Sequence, residues 1–352
     1  MNNNCIITGI TGQDGSYMVD FLLENTNLNI YGIRRRSSNP NLENVKHNLD
    51  NPRFKIIIGD LSDSNSIDEI VKELKPKYFI NFAAQSFVGS SWQIPLQTFD
   101  VTALGVLRCL EAIRKYAPEC RFYSAGSSEE MGDVLYSPQD LNHPIRPRSP
   151  YGAAKASARH ITKVYRESYS LYAIHSILYN HESERRGEEF VTRKITKNVA
   201  RIIKAINKKE CFEPLQLGNL ESKRDWSHAE DFIRGIWLML NQPSPKEYIL
   251  SSNETHSIKE FVEKSFKYAG LNEFYWKGDG KELELILPDY LLEDENVKSQ
   301  LLVKVNEKYY RPAEVDLLLG DSSIARKELN WKPEVNFDLL VKRMVENDLR
   351  QS

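Results

Sequence analysis

Cys5-Ile-Ile-Thr-Gly-Ile-Thr-Gly-Gln-Asp-Gly15 is the stretch that decides the fold. Four residues suited to a buried strand run into Gly9, Gly12 and Gly15, three apart, and an amphipathic stretch follows at 17–24. A strand, a glycine turn and a helix start in that order turn backbone N–H groups and the positive end of a helix toward a pyrophosphate. Glycine spacing alone is weak, since glycine also makes ordinary turns. Its position at the first strand–helix junction gives it weight. Gly9, Thr11, Gly12, Gln13, Asp14 and Gly15 are therefore the expected dinucleotide cradle.

Outward from that turn, short apolar runs at 29–33, 54–58, 78–82 and 121–124 alternate with helical stretches at 66–74 and 104–116. Runs at 174–178 and 248–250 look like later strands rejoining the same sheet. This alternation predicts an α/β fold: a doubly wound parallel Rossmann sheet with a smaller mixed α/β substrate-binding lobe. Residues 1–178 and 227–255 are expected to form the cofactor domain. Residues 179–226 and 256–352, where the rhythm breaks, are expected to cap the sheet's C-terminal edge. The charged stretch 277–304, with Glu293-Asp294-Glu295 inside it, reads as a solvated loop or helix face.

Composition narrows the class. At 352 residues the chain can bury a large core, in two lobes rather than one. A net charge of −2 argues against a nucleic-acid platform, whose footprint is strongly basic. No apolar run approaches a membrane span, and Met-Asn-Asn-Asn leads straight into a strand-like segment without a secretory pattern. Cys5, Cys109, Cys120 and Cys211 show no C-x-x-C spacing, which fits reduced thiols in a cytoplasmic enzyme. No metal is expected: His181-Glu182 begins like H-E-x-x-H, but Arg185 holds the second histidine position.

About twenty residues past the glycines, an NAD protein carries an acid for the ribose hydroxyls. Here the chain has Arg34, Arg35, Arg36 and Ser37. Guanidinium forks suit a 2′-phosphate, so NADP is the expected cofactor, with Arg35 and Arg36 holding it. One of the three arginines is expected to be no more than a solvated basic turn. Asp60 and Leu61 would lie near the adenine. Ala83, Ala84, Gln85 and Ser86 would run along the nicotinamide side.

Ser127, Glu129, Tyr151 and Lys155 are the candidate chemical residues. Tyr151 and Lys155 are four apart, on one face of a helix whose first position suits Pro150. An ammonium near a phenol favours the phenolate. Lowering a tyrosine from ~10 to ~7 takes about 4 kcal/mol. One charge ~4 Å away at an effective dielectric of 20 supplies about that much. A chance surface Tyr/Lys pair is the bland alternative, and the upstream glycine turn weighs against it. Glu130 competes with Glu129 for the role of the acid.

Longer strings point to a family. Phe82-Ala-Ala-Gln-Ser-Phe-Val, Arg148-Ser-Pro-Tyr-Gly-Ala-Ala-Lys155, Tyr179-Asn-His-Glu-Ser, Phe190-Val-Thr-Arg-Lys194, Lys223-Arg-Asp-Trp226 and Tyr310-Arg-Pro-Ala-Glu-Val-Asp-Leu-Leu-Leu-Gly-Asp321 closely resemble the GDP-mannose 4,6-dehydratases, within the extended short-chain dehydrogenases. The match runs in order from about Ile6 to the final helix. The resemblance implies a GDP-sugar substrate, an NADP restored within each turnover, and a homodimer or homotetramer. It implies that Tyr151 removes the O4 proton, that Lys155 supports it, that Ser127 bonds the C4 hydroxyl, and that Glu129 takes the C5 proton and protonates the departing C6 hydroxyl. It adds His181 and Arg186 to the cofactor contacts. It assigns Ser86, Asn180, Glu182, Lys194, Arg224, Arg311 and Glu314 to the substrate.

The family pattern Ser-Thr-Ser-Glu, followed by an apolar and an aromatic residue, reads Gly126-Ser-Ser-Glu-Glu130-Met131 here. That change leaves a larger heptose open beside a hexose. Two other functions remain: an epimerase or reductase on a related nucleotide sugar, and a non-catalytic NADP sensor on the same fold.

Overall fold

The computed structural model describes residues 3–288, 301–310 and 317–352. Its main sheet has seven strands in the order Ile249–Leu250, Ala173–Leu178, Arg121–Ala125, Tyr78–Asn81, Asn4–Thr8, Asn29–Arg34, Phe54–Ile58. All neighbours pair in parallel. Strand order reverses between Asn4–Thr8 and Tyr78–Asn81, the switch point at which such sheets open a crevice beyond their C-terminal ends.

Side-chain alternation explains why the sheet is covered on both faces. Ile7, Ile80 and Tyr123 enter one core with Met18, Leu22, Phe232 and Ile236. Their chain neighbours Ile6, Phe79 and Phe122 enter the opposite core with Val71, Leu110 and Ala158. Consecutive residues on opposite faces, all apolar, are what a parallel sheet between two helical layers requires.

Helix starts follow local chemistry. Gln13–Asn25 begins four residues before the amphipathic stretch, directly on extended Gly12. The Asp63 carboxylate caps Ser64–Leu74 by accepting from the Asn65 N–H. Ser149 caps Pro150–Tyr169 by accepting from the Gly152 N–H at 3.0 Å, and Pro150 takes the first helical position.

Beyond the sheet's C-terminal edge lies a separate core of Ile195, Ile202, Trp226, Phe261, Leu285, Val303, Phe337 and Val345. A four-stranded sheet, Tyr275–Lys277, Glu284–Ile286, Leu301–Val305, Leu215–Leu217, contributes to it. The solvated loop expected over 277–304 is therefore corrected in part: Leu285, Leu302 and Val303 are fully buried, so the flanks are strands. Glu293-Asp294-Glu295 lies outside the described residues. Ala325, Leu329 and Trp331 pack into the core of the large sheet, although they follow the strands of the smaller one in sequence.

Candidate active site

A cleft of about 700 Å³ opens where the large sheet meets the smaller core. Ser86, Ser127, Glu129, Tyr151 and Lys155 line it from the sheet side. Asn180, His181, Glu182, Arg186, Lys194 and Arg224 line it from the segments that leave the sheet. Two short parallel strands, Asn180–Glu182 and Trp226–His228, pair the segment that carries Asn180, His181 and Glu182 with the one that follows Arg224.

The glycine turn is fully used. Gly9 has φ +69°, and a Cβ there would meet the Ala83 nitrogen at 2.9 Å. A Cβ on Gly15 would meet the Gly9 carbonyl oxygen at 2.3 Å. Gly12 ends the turn as a helix cap without a side chain, leaving the helix's first N–H groups no side-chain acceptor. That cradle fits the diphosphate of a dinucleotide.

Of the expected cradle residues, Asp14 alone reaches the cleft wall among the described residues. The Gln13 side chain turns inward: its amide donates to the His181 carbonyl at 3.0 Å and its oxygen accepts from the Ser183 hydroxyl at 2.7 Å. Only its backbone remains for a ligand, because the side chain is spent joining two parts of the chain 170 residues apart. The Thr11 carbonyl accepts from the Asn44 amide at 3.1 Å. Asp14 Oδ2 lies 3.0 Å from His181 Nε2, and the His181 ring stacks on Phe232 at 4.6 Å. Burial opposes charge on both partners, yet their mutual attraction wins: Asp14 falls to about 2 and His181 rises.

Arg35 and Arg36 stand exposed past the end of the strand Asn29–Arg34, away from the cleft lining. Arg34 turns its guanidinium to the Arg35 carbonyl at 3.1 Å. Asp60 Oδ1 accepts from the Ser62 N–H and hydroxyl at 2.9 and 2.8 Å, closing the turn after the third strand. Leu61 is buried against Gly105. The Ala83 N–H donates to Thr8 Oγ1 at 3.1 Å, and the Gln85 N–H to Thr102 Oγ1 at 3.2 Å, so both sit on the sheet's C-terminal edge.

At the chemical centre, Ser127 Oγ accepts from the Glu129 N–H at 3.2 Å. Its hydroxyl also acts on the Tyr151 phenol, favouring the phenolate. The depression of the Tyr151 phenol expected from Lys155 is corrected. Burial pushes the phenol well above its usual value, Glu129 adds to the rise, and Ser127 and Arg186 oppose it. Lys155 Nζ donates to the Ala125 carbonyl at 2.6 Å and stands 5.8 Å from the Tyr151 ring centre, too far to dominate. Burial brings Lys155 itself down to about 8, against the pull of Glu130 and Asp14.

Glu130 leaves the competition. It is fully buried, Oε1 lies 2.9 Å from His175 Nε2, and the Ser127 N–H donates to it at 2.9 Å. Met131 is buried as well, among Ile177, Tyr179 and Leu318. Both point away from the cleft.

Elsewhere on the cleft wall, burial lowers Lys194 to about 8, and its ammonium lies 3.5 Å from the Tyr309 ring centre. Arg186 lies 3.6 Å over Phe190. The Asn180 Oδ1 is buried with no hydrogen-bond partner among the described residues, as is the Ser222 Oγ. Arg224 Nη1 donates to the Lys223 carbonyl at 2.9 Å. Glu182 Oε2 accepts from the Thr192 hydroxyl at 2.6 Å and lies 3.1 Å from Arg186 Nε. Arg311 and Glu314 lie outside the described residues. Tyr309, Phe190, Phe87 and His175 were not singled out from sequence. The i,i+4 spacing of Arg186 and Phe190 was a usable signal for that pair, and nothing local flagged the others.

The family described as GDP-mannose 4,6 dehydratase matches residues 6–344. A GDP-mannose 4,6 dehydratase of Drosophila melanogaster is 45% identical, the alignment covering 98% of this chain and 85% of the relative. One of Homo sapiens is 43% identical over 99% and 91%. A solved dTDP-glucose 4,6-dehydratase from Bacillus anthracis, in complex with NAD, superposes with a TM-score of 0.77 at 21% identity, over 98% of this chain and 96% of that one. At that identity the likeness speaks for the fold.

Proposed function

The chain belongs to the GDP-mannose 4,6 dehydratase family, and from that premise we propose how its own residues divide the family's reaction. The activity is that of a hydro-lyase: GDP-mannose loses water to give GDP-4-keto-6-deoxy-mannose. The observation that carries the division is the gathering of Ser127, Glu129, Tyr151 and Lys155 on one wall of a single cleft.

The glycine cradle would hold a nicotinamide dinucleotide, which when bound would supply the acceptor for the C4 hydride and the donor for its return at C6. We propose NADP, its 2′-phosphate held by Arg35 and Arg36, which are free of the cleft and suited to bidentate contact. Asp14, His181 and Arg186 also line the cleft.

Tyr151 accepts the O4 proton, with the Ser127 hydroxyl stabilising the phenolate against the cost of burial. Lys155, fixed on Ala125, supplies the nearby positive charge. Once C4 is a ketone, the C5 proton is acidic enough for a carboxylate to remove. Glu129 takes it and hands a proton to the departing C6 hydroxyl, so one group serves as base and then acid. Lys194 and Arg224 face the diphosphate, and Asn180 offers its unpaired oxygen to a sugar or ribose hydroxyl.

Glu130 and Met131 turn inward, so these two departures from the family pattern leave the sugar's space unchanged. That favours the hexose over a heptose. The intact carboxylate at Glu129 favours water loss over simple epimerisation.

The chain is further proposed to work in the cytoplasm as a homodimer or homotetramer. Its four cysteines are unpaired. Among the described residues no helix is long and apolar enough to cross a membrane. Leu96 is 86% exposed beside Trp92, Ile94 and Phe99, an apolar surface suited to a second copy.

The test is direct. Purified protein given GDP-mannose without added cofactor should yield a product lighter by one water, carrying a solvent hydrogen at C5. An unchanged mass with inversion at C4 overturns the reading in favour of an epimerase, and no turnover of any nucleotide sugar favours a sensor.

A further inference from the structure

Glu130 and His175 are fully buried, paired at 2.9 Å, and neither lines the cleft. Two buried polar groups whose hydrogen bonds among the described residues reach only each other and one backbone N–H are costly to keep. Their placement suggests what that cost supports. Glu130 Oε1 accepts the Ser127 N–H at 2.9 Å, while Ser127 Oγ accepts the Glu129 N–H at 3.2 Å. These are the reciprocal bonds of a capping box around the one-turn helix Ser128–Glu130. His175 comes from the neighbouring strand Ala173–Leu178, so the box is bolted to the sheet rather than left on its loop.

Resting on the dehydratase reading above, we infer that Glu130 and His175 are positioning residues that hold Ser127 and Glu129 in their working geometry. Glu130 fixes the N–H side of Ser127. With its oxygen committed to the Glu129 N–H, the Ser127 hydroxyl has its hydrogen left to aim at Tyr151. His175 Nε2 must carry the hydrogen of the pair, since a carboxylate only accepts.

The sequence around the pair is built to admit it. A Cβ at position 126 would lie 2.4 Å from the Ser176 carbonyl oxygen, 2.5 Å from His175 Nε2 and 2.8 Å from Glu130 Oε1. Gly126 therefore makes room for the imidazole and the carboxylate together. The Gly126 N–H donates to the Ser176 carbonyl at 2.8 Å, which seats the turn on the same strand. Gly126 and Glu130, read from sequence as two separate departures, are one packed unit with His175. The Glu130 charge also reaches the chemistry, supporting the Lys155 ammonium and opposing the Tyr151 phenolate.

The experiment compares wild type with Glu130→Ala, Glu130→Gln and His175→Ala, measuring kcat and KM for GDP-mannose, hydrogen exchange at C5 and thermal unfolding. A displacement of about 1 Å at the reacting groups costs up to about 100-fold. Glu130→Ala is expected to lose roughly 10- to 100-fold in kcat with KM within about twofold. Glu130→Gln, which keeps an oxygen for the Ser127 N–H and the His175 Nε2–H, should recover most of that loss. His175→Ala, which keeps the Ser127 bond but removes the side-chain tie to the strand, should fall between them and slow C5 exchange. If Glu130→Ala does not fold, the His175→Ala and Glu130→Gln order decides alone. Full kcat in folded Glu130→Ala or His175→Ala, or a loss that appears in KM instead, overturns the inference while leaving an active wild type and the dehydratase reading intact. A wild type that leaves GDP-mannose unchanged removes both.

Discussion

Lys155 gives its ammonium to the Ala125 carbonyl at 2.6 Å, on the strand beneath its helix, and no hydrogen bond joins it to Tyr151 among the described residues. The lysine is thus a fixed charge in a buried place, and burial brings it down to about 8. The ammonium is the form the phenolate needs. The free-enzyme profile of kcat/KM should therefore fall as pH rises past about 8. Lys155→Met should lose roughly 100-fold in kcat/KM and that falling limb with it, whereas a variant that keeps the limb points to another group.

Tyr151→Phe tests the base itself. General-base contributions run about 10²- to 10⁴-fold, so C4 oxidation should drop by at least about 100-fold while GDP-mannose still binds. Equilibrium titration and product mass separate the two. Loss of binding with normal turnover of what binds would place the phenol in recognition instead.

The Asp14–His181 pair carries a pH signature in stability. Asp14 is held down to about 2 from 3.8, so its contribution is present above pH about 4 and fades as pH falls through about 2. His181 is raised above 6.5, so its contribution is full below 6.5 and fades as pH climbs through its folded value. Together they stabilise most between about pH 4 and 6.5, by on the order of 2 kcal/mol from the Asp14 shift. The unfolding midpoint of Asp14→Asn should trail wild type most in that window and approach it at alkaline pH. A gap that stays constant with pH argues against an ion pair.

The Rossmann sheet was legible because consecutive apolar residues such as Ile6 and Ile7, or Phe79 and Ile80, can only be a strand buried on both faces. Ser127, Tyr151 and Lys155 were legible because helix spacing and a strand end place them locally. What sequence could not supply depends on groups distant along the chain. Gln13 turns inward because the Ser183 hydroxyl, 170 residues away, donates to its side-chain oxygen. Tyr151 is pushed upward because the fold buries it. The strand Leu301–Val305 hides in a charged stretch because Leu302 and Val303 meet a core assembled from Trp226, Phe261 and Phe337. Glu130 looked like a rival to Glu129 until His175, on another strand, took it.

Cofactor choice rests on two exposed guanidiniums. Arg35→Ala/Arg36→Ala should weaken NADP binding by roughly 10- to 100-fold, as expected when charge-assisted bonds to a phosphate are lost. Binding of NAD, which lacks that phosphate, should change by less than about threefold. Parallel titrations of both cofactors read the ratio. An equal loss for the two would move the arginines to the shared diphosphate, and no loss would leave them a solvated turn.

Glu129 is the residue on which water loss depends. Its turn projects it into the cleft beside Ser127, while Glu130 one position later is locked below. Glutamine at 129 keeps the shape and can neither take the C5 proton nor return one to the C6 hydroxyl. Glu129→Gln should therefore still bind GDP-mannose and open the O4–H bond through Tyr151, yet lose dehydration by roughly 10²- to 10⁴-fold. In deuterated water, the variant's recovered sugar should carry no deuterium at C5, whereas wild-type product carries one. Because the defect lies after C4 oxidation, adding GDP-mannose to the cofactor-loaded variant should still raise the ultraviolet absorbance of reduced nicotinamide. Dehydration at the wild-type rate would mean that another group supplies the acid, and the lyase chemistry would have to be reassigned within this cleft.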